Sequence, residues 1–318
     1  MAAKGGGSAI PTIMTPASPP AAQAPRRADN SKGLLLMGLG MFLFAAVDTQ
    51  AKFLTDTMHP IQIVWIRQLG LLTGAIILLF LHGPKLLKTK RPVLQVLRGA
   101  SAALSATIFI FAVTYVPLAD AVAISFVAPF MVTVMAALLL REPVGIRRWA
   151  AVIIGFIGAL IVIRPGMGIM HPAAGLVVLA ASLFALRQIL SRFLTDTDKT
   201  VTTIAYTAIV SVVILSIPLY SVWQWPETRQ TILLCFGMAF LAAFAEICVI
   251  KALEMTMAVV VAPVHYSLII WATFYGFVVF GDFPDGWTWL GTALIMATGI
   301  YTLRREHLAA QRKQPNTG

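Results

Sequence analysis

Lys52-Phe53-Leu54-Thr55-Asp56-Thr57 recurs 140 residues later as Arg192-Phe193-Leu194-Thr195-Asp196-Thr197. The same offset carries Leu43-Phe44-Ala45 onto Leu183-Phe184-Ala185 and Trp149 onto Trp289. It also brings Arg141-Glu142-Pro143 onto Gly281-Asp282-Phe283, so an acid follows at the same place in each half. Several matches in one register across the whole length indicate a duplicated unit.

What is duplicated follows from composition. Of the 318 residues, 58% are hydrophobic and 12% charged, and mean hydropathy is +0.84. A soluble domain carries about 25% charged residues, so this is a membrane protein. Its apolar runs are apolar on every face, which excludes the alternating strands of a β-barrel. Ten runs are long enough to cross a bilayer as helices, at about 33–53, 60–82, 93–115, 117–140, 148–164, 173–194, 200–222, 230–252, 257–280 and 286–304. The expected fold is all-α and integral to the membrane, with repeat 1 over 33–165 and repeat 2 over 173–305. Five spans is an odd number, so the second half inserts upside down relative to the first. Inverted repeats with a site between them, near the midplane, are the architecture of carriers that work by alternating access.

The net charge of +11 sits in short loops and tails, where it orients spans and gives no reason to expect nucleic acid. Eighteen lysines and arginines lie in the tails and even-numbered loops, three (Lys52, Arg164, Arg229) in odd-numbered loops, and three (Arg67, Arg98, Arg187) inside spans. That bias places both termini in the cytoplasm. Residues 1–32 read as a disordered cytoplasmic tail, with Met14 a second candidate start, and 306–318 as a second tail. Cys235 and Cys248 fall in one span and form no disulfide framework or zinc motif. HExxH, GxSxG and Walker A motifs are missing, and so are the rings of like residues a channel filter needs. The chain therefore reads as a carrier without a cofactor or metal, not an enzyme.

Tyr115-Val116-Pro117-Leu118-Ala119-Asp120-Ala121, Ala128-Pro129-Phe130, Leu140-Arg141-Glu142-Pro143 and Gly155-Phe156-Ile157-Gly158-Ala159 together resemble the EamA repeat of drug/metabolite transporters. The likeness is fuller in the first half, since Pro129 falls on Ile269 and Pro263 sits earlier in its helix. The resemblance implies a cavity lined by spans 1–4 and 6–9, with spans 5 and 10 peripheral, in a bacterial inner membrane. The segment around Asp120 is similar to the riboflavin-importer branch, so riboflavin uptake is the specific expectation. Uptake of S-adenosylmethionine and export of amino-acid metabolites or drugs are the alternatives.

Charged residues inside spans need a partner or a wet cavity, because each costs about 2.5–3.5 kcal/mol at the helix centre. Asp48, Arg67 and Asp120 form an expected outer cluster that binds substrate or forms a gate, the alternatives being a structural ion pair for Asp48 and Arg67 and, for Asp120, an acid stabilised by the positive end of its helix after Pro117. Arg187, Glu246 and His265 form the corresponding cytoplasmic cluster, with Arg187 and Glu246 either site residues or a static pair between helices, and His265 either a proton carrier or a neutral buried histidine. Arg98, near the cytoplasmic end of span 3, is expected to snorkel to the interface. Tyr115, Phe126, Tyr266 and Trp271 are candidates for stacking on a planar substrate in an aromatic-lined cavity with few charges, Phe126 and Tyr266 being equivalent in the two halves. Pro129 and Pro263 are expected kinks in spans 4 and 9. Gly155 and Ala159 offer a small-residue seam, either for a homodimer or for packing within the chain.

Overall fold

The computed structural model describes residues 30–141, 144–164, 171–195, 197–256 and 258–313. Its helices are α1 Asn30–Leu54, α2 Pro60–His82, α3 Pro92–Val113, α4 Leu118–Ser125, α5 Ala128–Leu139, α6 Ile146–Ile163, α7 Ala174–Thr195, α8 Thr200–Val222, α9 Arg229–Met255, α10 Ala258–His265, α11 Ser267–Phe280 and α12 Gly286–Lys313. The pairs α4–α5 and α10–α11 are each one broken span, which makes ten. Nine spans among the described residues are long and apolar enough to cross a membrane on composition alone. The tenth, α12, begins Gly-Trp-Thr-Trp and packs along α6. The tail up to residue 29, Glu142-Pro143, Pro165-Gly166 and Asp196 lie outside the described residues. Helix α12 continues beyond the expected boundary at 305 to Lys313. Below, the α1 face is the membrane face on which α1 begins, and the far face is the opposite one.

Local chemistry starts the helices. Pro60 and Pro92 open α2 and α3 at the position where a missing N–H costs nothing. The His59 ring accepts the Ile61 N–H at 3.3 Å, and Thr228 accepts the Thr231 N–H at 3.1 Å, capping α2 and α9.

The duplication is visible in the packing. Helix α1 lies on α9 as α7 lies on α3; α2 crosses α9 as α8 crosses α3; α1 meets α11 as α7 meets α5. The pairs α2–α8, α6–α12 and α4–α11 bring equivalent spans of the two halves against each other. Single residues obey the same two-fold relation. A Cβ on Gly70 of α2 would collide with the Ala239 backbone, and one on Gly99 of α3 would collide with Val210. Those four residues are two pairs at the 140-residue offset, so one crossing is used twice with its partners exchanged. Arg141 (φ 52°) and Gly281 (φ 74°) also share the offset and the left-handed conformation. Glycine takes that shape freely and arginine under strain.

Spans 4 and 9 are broken at equivalent residues, Phe126 and Tyr266, although their prolines are not equivalent. Pro129 sits in the first turn of α5, where it helps start a helix, and Pro263 lies inside α10. Each expected kink is a full break within three residues of its proline, and in span 4 it falls where Pro129 cannot supply the N–H that would bond the Ser125 carbonyl. Phe126 and Tyr266 stack on each other, ring centroids 4.8 Å apart, where the two halves meet. Gly155 faces the Phe130 ring and Ala159 is buried, so the small-residue seam of α6 is used within the chain.

In a bilayer, helices associate through close packing and not through expulsion of apolar surface from water. Gly70→Val is therefore expected to push α2 off α9 at a cost of about 1–3 kcal/mol. Gly74→Val, with nothing within 4 Å, serves as the control. Thermal unfolding in detergent checks this: the first variant melts lower than the second, and equal melting temperatures would refute the close-packed crossing.

Candidate functional site

A cavity of about 110 Å³ lies between the halves, lined by Phe44, Arg67, Gln68, Leu71, Arg98, Ala102, Ala106, Arg187, Ile204, Thr207, Ala242 and Glu246. Arg67 and Thr207, Ala102 and Ala242, and Ala106 and Glu246 are pairs at the 140-residue offset. The cavity thus straddles the pseudo-two-fold axis. The alanines give symmetric room, while Arg67 against Thr207 and Glu246 against Ala106 make the chemistry one-sided.

This arrangement corrects the expectation of two separate polar clusters. At 1.5 Å per residue, the Arg67 and Asp48 backbones lie about 10 Å below the far face, and those of Arg98, Arg187 and Glu246 about 9–13 Å from the α1 face. Long side chains close the remaining gap in a hydrocarbon core of about 30 Å. Arg98 does not snorkel outward. It is buried, and its Nε donates to Ser191 Oγ at 2.6 Å while its terminal nitrogen donates to Thr207 Oγ1 and to the Thr203 carbonyl at 3.4 Å.

Arg67 donates to Asp48 Oδ1 at 3.0 Å and stands over the Phe44 ring at 5.9 Å. Arg187 stands over the Phe184 ring at 5.1 Å. Phe44 and Phe184 are the two copies of the repeated Leu-Phe-Ala motif, so each half supplies a ring beneath a guanidinium.

The remaining expected site residues lie elsewhere. His265 meets the edge of Phe126 at 5.8 Å, Trp271 meets Phe42 at 5.0 Å, and neither lines the cavity. Phe126 and Tyr266 spend their faces on each other. Tyr115 stacks on His171 at 4.7 Å and lines a second pocket of about 420 Å³ at the far face, with Thr55, Asp56, His59 and Gln224. The expected aromatic lining gives way to a charged one, with Phe44 the single aromatic side chain lining the central cavity among the described residues. Gln68 was not anticipated. Its buried Oε1 has no hydrogen-bond partner and lines the same cavity, and the signal for it was a glutamine within an apolar span.

Both faces are laced shut across the repeats. At the far face Lys52 pairs with Asp282 at 3.2 Å and donates to the Val116 carbonyl at 3.2 Å, and Arg164 pairs with Asp285 at 2.6 Å. The Thr288 N–H and Arg164 hold Asp285 below the usual carboxylate range. Asp120 is buried beside this network, one oxygen without a hydrogen-bond partner. The Gln62 side chain and the Gln224 backbone exchange two hydrogen bonds, of 2.7 and 2.9 Å. At the α1 face the residue equivalent to Gln62, Thr202, donates to the Leu86 carbonyl at 2.7 Å, and Asp198 accepts from Thr89, from Gln95 at 2.7 Å and from the Lys90 N–H at 3.3 Å.

The sequence profile of the EamA-like transporter family matches residues 31–164 and 171–304, and the chain belongs to that family. It is 27% identical over 286 residues to an S-adenosylmethionine uptake transporter of Rickettsia felis, a match covering 87% of this chain and 96% of the relative. It is 30% identical over 243 residues to a riboflavin transporter of Brucella anthropi, covering 72% and 82%. A protein of known crystal structure shares the fold with a TM-score of 0.58 at 16% identity, over 86% of this chain and 98% of that one.

Burial opposes the charge of Asp198, but the bonds from Thr89, Gln95 and Lys90, with Arg91 nearby, outweigh it and hold the carboxyl below the usual carboxylate range. An acid depressed on folding stabilises above its unfolded pKa, near 4, and loses that contribution as pH falls through the folded value. The melting-temperature gap between the wild type and Asp198→Asn is thus full at neutral pH and closes below about pH 4. A gap unchanged in that acid range would show that the charge of Asp198 does not hold the latch.

Proposed function

We propose that the chain is a secondary carrier of a bacterial inner membrane, with both termini in the cytoplasm, that takes up a small organic metabolite by alternating access. The observation that carries this reading is the charged cavity on the pseudo-two-fold axis, latched at both faces by contacts between the halves. Opening one latch while the other holds exposes the same residues first to one side and then to the other. In this reading Phe126 and Tyr266 form the pivot, Lys52, Asp120 and Arg164 belong to the outer latch, Asp48 orients Arg67, and Tyr115 lines the outer vestibule.

The substrate favoured is of the S-adenosylmethionine type. Support comes from the Rickettsia relative, matched over nearly its whole length, and from a cavity bearing Arg67, Arg98, Arg187 and Glu246, which suits a molecule with charges of both signs. Riboflavin is the second reading, resting on the Brucella relative.

Cells expressing the chain, compared with an empty-vector control, test this by uptake of labelled S-adenosylmethionine and labelled riboflavin. Saturable S-adenosylmethionine uptake is the expected result, with loss of at least about tenfold in Arg67→Ala, the scale of removing one charged hydrogen bond. Uptake of neither compound, with the protein present in the membrane, would contradict the reading. A protonophore in the same assay tells whether a proton gradient drives it.

A further inference from the structure

We propose that the central cavity recognises a carboxylate, that Arg187 is the residue that binds it, and that Glu246 takes a cationic group of the same molecule. The proposal rests on the carrier reading and assigns the substrate class of that site.

The three arginines of the cavity are not in the same condition. Arg67 is neutralised by Asp48 at 3.0 Å. Arg98 is committed to the Ser191 and Thr207 hydroxyls and the Thr203 carbonyl, acceptors that hold it in place. Arg187 lines the cavity with its Nε buried and without a hydrogen-bond partner, and makes no ion pair within 4 Å among the described residues. Its side chain stands over the Phe184 ring, and Glu246 acts on it by charge from beyond ion-pair distance. A guanidinium left in this state at membrane depth is costly, and such residues mark substrate pathways.

Arg67, Arg98 and Arg187 outnumber the acids Asp48 and Glu246, so an anionic end group finds a guanidinium that no protein carboxylate pairs. Arginine also presents a planar fork that matches a carboxylate with two parallel hydrogen bonds. Glu246 lies in the same cavity near both Arg187 and Arg98, and the unpaired Gln68 oxygen is a further acceptor. An arginine donor with a glutamate and a glutamine acceptor is the complement of a zwitterion. The cavity of about 110 Å³ admits that end group, whereas whole metabolites fill pockets of about 300–1,000 Å³. The charged end is thus the part gripped when the site is narrowest.

The test uses the purified full chain in liposomes. Uptake of labelled S-adenosylmethionine is competed with the unlabelled compound, with its decarboxylated analogue and with riboflavin. The analogue and riboflavin are expected to compete about 10- to 100-fold more weakly than the parent, the range for losing hydrogen bonds to a charged group. Arg187→Gln is expected to erase the difference between parent and analogue, and Arg187→Lys to keep part of it. A purely structural role for Arg187 would lower the amount of active protein and leave that ratio unchanged, which would overturn the assignment. If Arg187→Gln does not fold, the wild-type ratio decides alone. Equal competition by parent and analogue, or uptake of riboflavin in place of S-adenosylmethionine, overturns the proposal and leaves the carrier reading intact. Liposomes that take up neither compound overturn both.

Discussion

Three guanidinium groups held between helices, away from both membrane surfaces, are the constraint around which this molecule is arranged. Each needs its own solution, because hydrocarbon offers no counter-charge. Arg67 has a carboxylate, Arg98 has hydroxyls and a carbonyl, and Arg187 has an aromatic face. The guanidinium groups and their partners come from five helices of both halves: α1 supplies Asp48 and Phe44, α2 Arg67, α3 Arg98, α7 Arg187, Phe184 and Ser191, and α8 Thr203 and Thr207. The cluster therefore ties the two repeats together at mid-depth, while latches tie them at each face.

The duplicated scaffold and the unsymmetrical site serve different ends. Crossings such as Gly70–Ala239 and Gly99–Val210 make the two halves nearly interchangeable, which is what the proposed alternating access requires, since each half must be able to adopt the other's conformation. The residues that give the cavity its charge break that equivalence. Glu246 answers Ala106, and Arg67 answers Thr207, so the cavity lining is a polar gradient and not a symmetric ring.

The scaffold was legible in the sequence because helix length and apolarity are local properties, and because the 140-residue repeat survives in short motifs. Inversion followed from counting spans. Depth along each helix was legible too, but which charges meet was not: Arg67 of one expected cluster joins Arg187 and Glu246 of the other because arginine side chains bridge a gap that backbone counting leaves open, while Asp120 and His265 stay apart. Arg98 was expected at the interface from its place near a helix end, and only the neighbouring Ser191, Thr203 and Thr207, distant in sequence, turn it inward. His265 and Trp271 were expected in the lining because spans 4 and 9 were, but no described residue of α4, α5, α10 or α11 lines the central cavity, and the Phe126–Tyr266 stack joins those spans to each other instead.

The central claim is that one cavity on the two-fold axis opens in turn to each face. Its most direct measurement is labelling of a single cysteine at Ala102 or at its repeat mate Ala242, with Cys235 and Cys248 replaced, in sealed vesicles of each orientation. Both positions line the cavity, and the native cysteines are buried. A membrane-impermeant thiol reagent is predicted to reach each cysteine from either face, and a transported substrate to slow the reaction. Labelling from one face alone, or from neither, would contradict the account.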